Sequence, residues 1–440
     1  MENKKLWAKD SANQNHLEII EKFTVGKDKD FDILLAQYDI LGTKAHCKML
    51  AKIGFLGEEE NNAIQKELDE MYILAKENKL LINDGVEDIH SQIEFNLTQK
   101  LGDAGKKIHT GRSRNDQVLL AIKLYLASEI KEIAQLSKNL FERLINLAET
   151  HKSALMPGYT HFQIGMPSSF GLWFSAFAES LSEDLEVLAA ALSVVEKNPL
   201  GSGAGFGSSF PLDRDFTTKE LNLEKMNINS VYAQMTRGKS EKITAMAMST
   251  VAATLSKLAY DICMFSNQNY GFISFPSELT TGSSIMPHKK NPDVFELIRA
   301  KSARIQSLPN ELTLLINNLP SGYHRDFQLT KEIIFPGIQD LKDCLQIFEF
   351  MLKHINVKED ILKDEKYDYL FSVEKINELV MSGASFREAY REVGNSIENG
   401  SYSYRNDDLK HTHKGSIGNL CLDEITQNFE EIFRKFNKNI

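Results

Sequence analysis

Cysteine is scarce in these 440 residues: Cys47, Cys263, Cys344 and Cys421 stand far apart with no CxxC pair. Neither a disulfide framework nor a thiolate metal site is expected, and a reducing cytoplasm suits the chain best. Long hydrophobic runs are missing too. No segment approaches the roughly 18–20 apolar residues of a membrane span, and the opening MENKKLWAKDSANQNH has no apolar core of a secretory signal. Charge of one sign never accumulates into a block: a net charge of −10 is spread along the chain, so neither nucleic acid nor a membrane is an expected partner. Proline is rare, and all ten prolines lie between Pro157 and Pro336. The stretches 168–198, 212–275 and 337–440 have none, which permits long helices there.

What is present is helical periodicity. Over 113–150 the residues Val118, Ile122, Leu126, Ile130, Ile133, Leu136, Leu140, Leu144 and Leu147 recur every three or four positions, the spacing of one helix face. Similar stripes run through Met246, Val251, Leu255, Leu258, Ile262 and Phe265, and through Ile333, Ile338, Leu341, Ile347 and Phe350. Strand-like alternation is scarce, so the spacing predicts an all-α protein built on a bundle of very long helices. The length exceeds the roughly 250–300 residues that one core organises. The expected parts are an N-terminal helical domain (1–110), a central long-helix bundle (111–355) and a C-terminal helical domain (356–440). The stripes themselves are core and carry no chemistry, but helices this long leave apolar surface that one chain does not cover, so self-association is expected.

Four polar segments interrupt the pattern. Gly111-Arg112-Ser113-Arg114-Asn115-Asp116 precedes the longest stripe. Ser113 or Asn115 is a candidate helix N-cap, and the paired arginines suit a carboxylate-bearing ligand. Upstream, Glu87-Asp88-Ile89-His90 reads first as another helix start. Gly158-Tyr159-Thr160-His161-Phe162-Gln163 sits between Pro157 and Pro167, placing a hydroxyl and an imidazole in a loop between helices; imidazole can both take and give a proton near neutral pH. Gly282-Ser283-Ser284-Ile285-Met286-Pro287-His288-Lys289-Lys290-Asn291 is the most informative segment. Its glycine and serines suit a mobile loop, and a serine base backed by a lysine and an amide suits proton abstraction next to a carboxylate. Tyr323-His324-Arg325-Asp326-Phe327-Gln328-Leu329-Thr330-Lys331 is the fourth, equally readable as a solvated face. The run Gly201-Ser202-Gly203-Ala204-Gly205-Phe206-Gly207 does not follow a strand as GxGxxG would, and reads as a tight backbone passage.

Together these segments resemble the fumarase/aspartase superfamily, whose signature GSSxMPxKxN appears here as GSSIMPHKKN. The segments EDIHSQIE, HTGRSRNDQV, GYTHFQ, LGSGA, SGYHRDFQLTK and SFREAYREVG, in this order, are similar to the branch that splits argininosuccinate into arginine and fumarate. The resemblance implies three mostly helical domains and a homotetramer with a twenty-helix core, its active sites shared between subunits. It implies Ser283 as the base on the β-carbon of the succinyl group, with Lys289 and Asn291 stabilising the resulting dianion. His161 and Thr160 match the positions serving the leaving nitrogen, Arg114 and Asn115 carboxylate-binding positions, and Tyr323, Gln328 and Lys331 those holding the arginine-bearing part. No metal or organic cofactor is implied; the substrate is a small molecule. The chain departs from the pattern at His288 (usually Gln), at Gly165-Met166, across 230–238, and across 23–32, where the usual FxxSxxxD reads Phe23-Thr24-Val25-Gly26 with extra residues before Asp32. The alternatives are another fumarate-releasing lyase of the superfamily, acting on adenylosuccinate, aspartate or malate, and a non-enzymatic, crystallin-like scaffold.

Overall fold

The computed structural model describes residues 14–83, 85–404, 409 and 411–437; most of the opening stretch tested for a secretory signal lies outside them. The protein is all-α. Gln14–Val25 (α1) and the single turn Asp28–Asp32 (α2) lead into Ala36–Lys52 (α3), Glu58–Lys76 (α4) and Ile89–Leu101 (α5). Five long helices follow: Arg114–Thr150 (α6), Phe170–Val195 (α7), Lys239–Ser266 (α8), Asp293–Ile316 (α9) and Leu329–Leu352 (α10). Each packs on the next, and α10 returns to α6, closing a five-helix ring. At 37 residues, α6 is about 55 Å long at 1.5 Å per residue.

Sequence explains where α6 begins and which way it faces. The Ser113 hydroxyl accepts from the Asn115 N–H at 3.2 Å and Asp116 reaches back to the Ser113 N–H at 3.0 Å, a reciprocal cap. Ser113, not Asn115, is therefore the N-cap. Ile122, Leu126, Ile130, Ile133, Leu140 and Leu144 are fully buried, as their spacing requires. The other two stripes are only partly core. Met246, Ile347 and Phe350 are exposed in the single chain, and α10 buries Ile338 and Leu341 of its stripe together with Ile334, Phe335, Leu345, Phe348 and Leu352. Proline-free sequence is also not required for these helices, since Pro309 lies inside α9 and Pro336 inside α10. Both flank one close approach, where a Cβ added to Gly337 would stand 2.3 Å from a methyl of Leu308.

Beyond the bundle, Ser372–Met381 (α11) and Phe386–Glu398 (α12) share a small separate core of Ile376, Ala389 and Val393. Leu422–Phe433 (α13) packs back on α6 and α7, with Phe429 stacked on Phe141 at 3.8 Å. The described β-structure is limited to two-stranded pairs. The one that matters is Leu155–Thr160 (β1) with Gln163–Ser169 (β2), an antiparallel hairpin where sequence suggested a plain loop. Pro157, Gly158, Gly165 and Pro167 hide its alternation. No helix among the described residues is long and apolar enough to cross a membrane.

Candidate functional site

The candidate residues fall into three places in one chain. The first is a cavity of about 180 Å³ at the N-terminal end of α6, and it gathers Arg114, Asn115, Tyr323, Gln328 and Lys331. The cap at Ser113 sets Arg114 and Asn115 on the first turn of α6. The Arg114 guanidinium donates to the Ser91 hydroxyl at 3.0 Å and the Gln117 amide oxygen at 3.2 Å, and stands 3.7 Å from Asp88. Asp88 caps α5, accepting from the Ser91 N–H at 2.6 Å. Burial works to raise its pKa, but the charges of Arg114 and His90 and the hydrogen bonds from Ser91 leave it below the usual carboxylate range. Arg112 does not join its neighbour. It is buried and donates to the Thr43 hydroxyl at 2.9 Å, a packing role.

Lys331 is 3% exposed and is paired with two carboxylates of α2, Asp28 at 2.7 Å and Asp32. The Gln328 amide donates to the backbone oxygens of Thr24 at 3.0 Å and Val25 at 3.2 Å, and Arg325 also donates to Thr24 at 3.0 Å. Residues 24–32, where the chain departs from the family pattern, thus lie across the groups expected to hold the arginine-bearing part. Asp28, Asp32, Asp88, His90 and Arg237 line this cavity as well. Sequence reading assigned no role to Asp28; its spacing from Asp32, one helical turn apart, was the available signal. His90 is buried against Asp39 at 3.0 Å.

Asp116, facing away from the cavity, explains the glycine run. Its carboxylate accepts from the backbone N–H groups of Gly201 and Gly203, both at 2.9 Å. These residues have φ of +84° and +60°, open to glycine at little cost. Burial raises the Asp116 pKa to about 6 against the lowering effect of these donors.

The second place is the β1–β2 hairpin, whose tip carries Thr160 and His161, both exposed. Thr160 pairs with Gln163, leaving His161 and Phe162 as a two-residue turn with φ of +54° and +58°. Two consecutive positive φ angles mark a hairpin turn whose twist matches the strands, here without glycine.

The third is the loop between α8 and α9. A bridge between Thr281 and Asn291 closes its neck, and the Asn291 amide donates to the Thr281 hydroxyl and the Gly282 oxygen, both at 3.3 Å. Asn291 therefore braces the loop in this conformation. The Ser283 hydroxyl oxygen accepts from the backbone N–H groups of Ile285 at 3.3 Å and Met286 at 3.1 Å. Lys289 is exposed, with no ion pair among the described residues, beside a cavity of about 770 Å³ that Asn291 also lines.

Helix length keeps these places apart. The first cavity sits at the start of α6, and the hairpin follows its far end, about 55 Å away along the axis. Arg237, in the first cavity, lies two residues before α8, whose 28 residues span about 42 Å before the Ser283 loop begins. The hairpin and that loop share the opposite end, where Tyr159 meets Tyr270 edge-on at 5.6 Å. One chain therefore keeps the candidate residues in two regions at opposite ends of the bundle.

The fold and these segments define a lyase: a family model described as Lyase matches residues 13–307. An argininosuccinate lyase of Bacteroides fragilis is 54% identical over 433 residues, covering 98% of this chain and 96% of its own. One of Thermotoga neapolitana is 39% identical, covering 89% and 98%. This chain belongs to the argininosuccinate lyase family. Among solved structures, EDDS lyase in complex with formate matches with a TM-score of 0.75 at 20% identity, covering 94% of this chain and 90% of that one. A class II fumarase from Schistosoma mansoni matches at 0.71 and 16%, covering 94% and 95%. At these identities the likeness is one of fold.

Proposed function

We propose that the enzyme reversibly cleaves argininosuccinate to arginine and fumarate, as the names of its relatives indicate for them. The observation that carries the chemistry is the pair of backbone N–H groups on the Ser283 oxygen. Donors aimed at a hydroxyl oxygen stabilise its deprotonated form, which suits Ser283 as the base. Ser283 takes the β-proton of the succinyl group; Lys289 and Asn291 hold the added negative charge on the carboxylate; the C–N bond then breaks and His161, with Thr160, serves the proton that the leaving nitrogen gains. Arg114 and Asn115 bind substrate carboxylate, while Tyr323, Gln328 and Lys331 hold the arginine-bearing part. That last contact requires residues 24–32 to yield part of their hold on Gln328 and Lys331.

The site is completed by a homotetramer. Five long helices per chain give twenty in four copies, and exposed Met246, Ile347 and Phe350 on the bundle supply apolar surface for such a core. The division is drawn at 1–110, 111–355 and 356–440; within the last part α11 and α12 share a small core of their own, while α13 packs on α6 and α7, and isolated thiols accord with the cytoplasm. The test is incubation with argininosuccinate, following fumarate absorbance, beside adenylosuccinate, aspartate and malate. Argininosuccinate should be turned over fastest; faster fumarate release from another substrate would overturn the assignment.

A further inference from the structure

Lys331 has two carboxylates, Asp32 and, at 2.7 Å, Asp28. The three groups leave one negative charge in excess at a place where Lys331 is 3% and Asp32 2% exposed, and a charge held away from water is costly unless a cation meets it. The nearby cation Arg237 is taken by Glu241 at 3.2 Å. The other acidic groups lining the cavity have partners of their own: Glu87 stands 3.6 Å from Arg325, and Asp88 lies 3.7 Å from Arg114 while capping α5. Asp28 is different. It lines the cavity half-buried, and Lys331, which it shares with Asp32, is its only ion-pair partner among the described residues.

A polar ligand is indicated independently. His90, 1% exposed, lines the same cavity with its Nδ1 3.0 Å from Asp39, and its Nε2 has no hydrogen-bond partner among the described residues. A buried polar atom of this kind calls for a partner from outside the chain. The arginine-bearing part of argininosuccinate ends in an amino-acid head, a carboxylate and an ammonium on one carbon. The ammonium has three donors and no acceptor, so its partner must be an acceptor. A lysine and an aspartate 2.7 Å apart complement such a head, the cation meeting its carboxylate and the aspartate its ammonium.

We propose that Asp28 takes the α-ammonium of the arginine-bearing part, and so makes this subsite select an amino acid over a plain carboxylic acid. The inference rests on the reading of this cavity as the place that holds that part, and deepens it by assigning the amino group.

The test compares arginine with desamino-arginine, the same molecule with hydrogen in place of the α-ammonium, as inhibitors of argininosuccinate cleavage by the intact enzyme. The parent should have a Ki for arginine about ten-fold or more below that for desamino-arginine, the worth of one charge-assisted contact. In Asp28→Asn the Ki for arginine should rise about ten-fold while that for desamino-arginine stays or falls, closing the gap. A merely structural Asp28 would shift both compounds alike. A preference kept in the variant, a parallel shift of both, or a parent with no preference would overturn the proposal. The last of these needs no variant, and so decides the matter if Asp28→Asn does not assemble. If the parent does not cleave argininosuccinate, or arginine does not inhibit it, the reading of the cavity fails and the proposal falls with it; the parent alone reports that separately.

Discussion

The ammonium of Lys331 lies 2.7 Å from a carboxylate oxygen of Asp28 while Asp32 holds it from the other side. One buried cation thus serves two carboxylates. Burial and the repulsion of Asp32 push the Asp28 pKa up to about 6, although Lys331 pulls the other way. A carboxylate whose pKa is raised on folding binds its proton more tightly in the folded state. Its contribution to stability is complete below about pH 4 and lost as pH rises through about 6. Asp28→Asn removes that loss. In thermal unfolding between pH 4 and 8, the variant should gain on the parent as pH rises, with little difference at the acid end. A gain that is the same at every pH would show that Asp28 does not titrate in this window.

Removing the lysine acts in the opposite direction. Lys331→Met leaves Asp28 and Asp32 buried together without a cation, and breaking a buried pair from one side typically costs about 3–5 kcal/mol. A denaturant midpoint well below the parent's at pH 7.5 is expected, partly restored by adding Asp28→Asn. KM for argininosuccinate should rise in both, because the group proposed to hold the arginine-bearing part is gone from both. An unchanged KM in the double variant would remove Lys331 from substrate binding.

Ser283 and Ser284 are adjacent in one loop, but only the Ser283 oxygen receives the Ile285 and Met286 N–H groups. Ser283→Ala should lower kcat by orders of magnitude with substrate affinity largely kept, since the lost interaction belongs to the transition state. Ser284→Ala is the paired control and should cost less. Lys289→Met should also cripple turnover through loss of the charge opposite the growing dianion. A folded, assembled Ser283→Ala enzyme releasing fumarate at the parental rate would transfer the role of base elsewhere, with His161 the first group to examine.

How far sequence reached is clearest on α6, where nine spaced apolar residues specify the helix and its buried face, while the cap is left open between Ser113 and Asn115 and only the hydrogen bonds at Ser113 decide it. It reached less far on α8 and α10. Met246, Ile347 and Phe350 keep the spacing of a helix face yet are exposed, because periodicity does not tell a face buried within a chain from one left for a neighbour. Arg112 and Arg114 look alike as sequence, but the cap at Ser113 lies between them, turning one into the packing and the other into the cavity. Asp116 and the Gly201–Gly207 run were legible only as separate oddities. Their hydrogen bonds join positions 85 and 87 residues apart, which no local pattern reports. The hold of α2 on Lys331 escaped for the same reason.

The separation of Arg114 from Ser283 by the length of the bundle gives the proposed shared site its strictest test. Arg114 begins α6 beside the Arg237 end of α8, and Ser283 follows the far end of α8, about 42 Å away. If both serve one reaction, they come from different copies. Arg114→Met and Ser283→Ala homotetramers should each be nearly inactive. Mixed by unfolding and refolding together, they form hybrids in which some sites take their arginine from a Ser283→Ala copy and their serine from an Arg114→Met copy. With equal mixing and independent donors, about a quarter of sites would hold both native side chains, so activity should return toward about a quarter of the parental value. If one chain supplied both groups, every site would lack one of them whatever the mixture. A refolded mixture that sedimentation shows to be assembled, but that stays as inactive as its parts, would contradict the shared site.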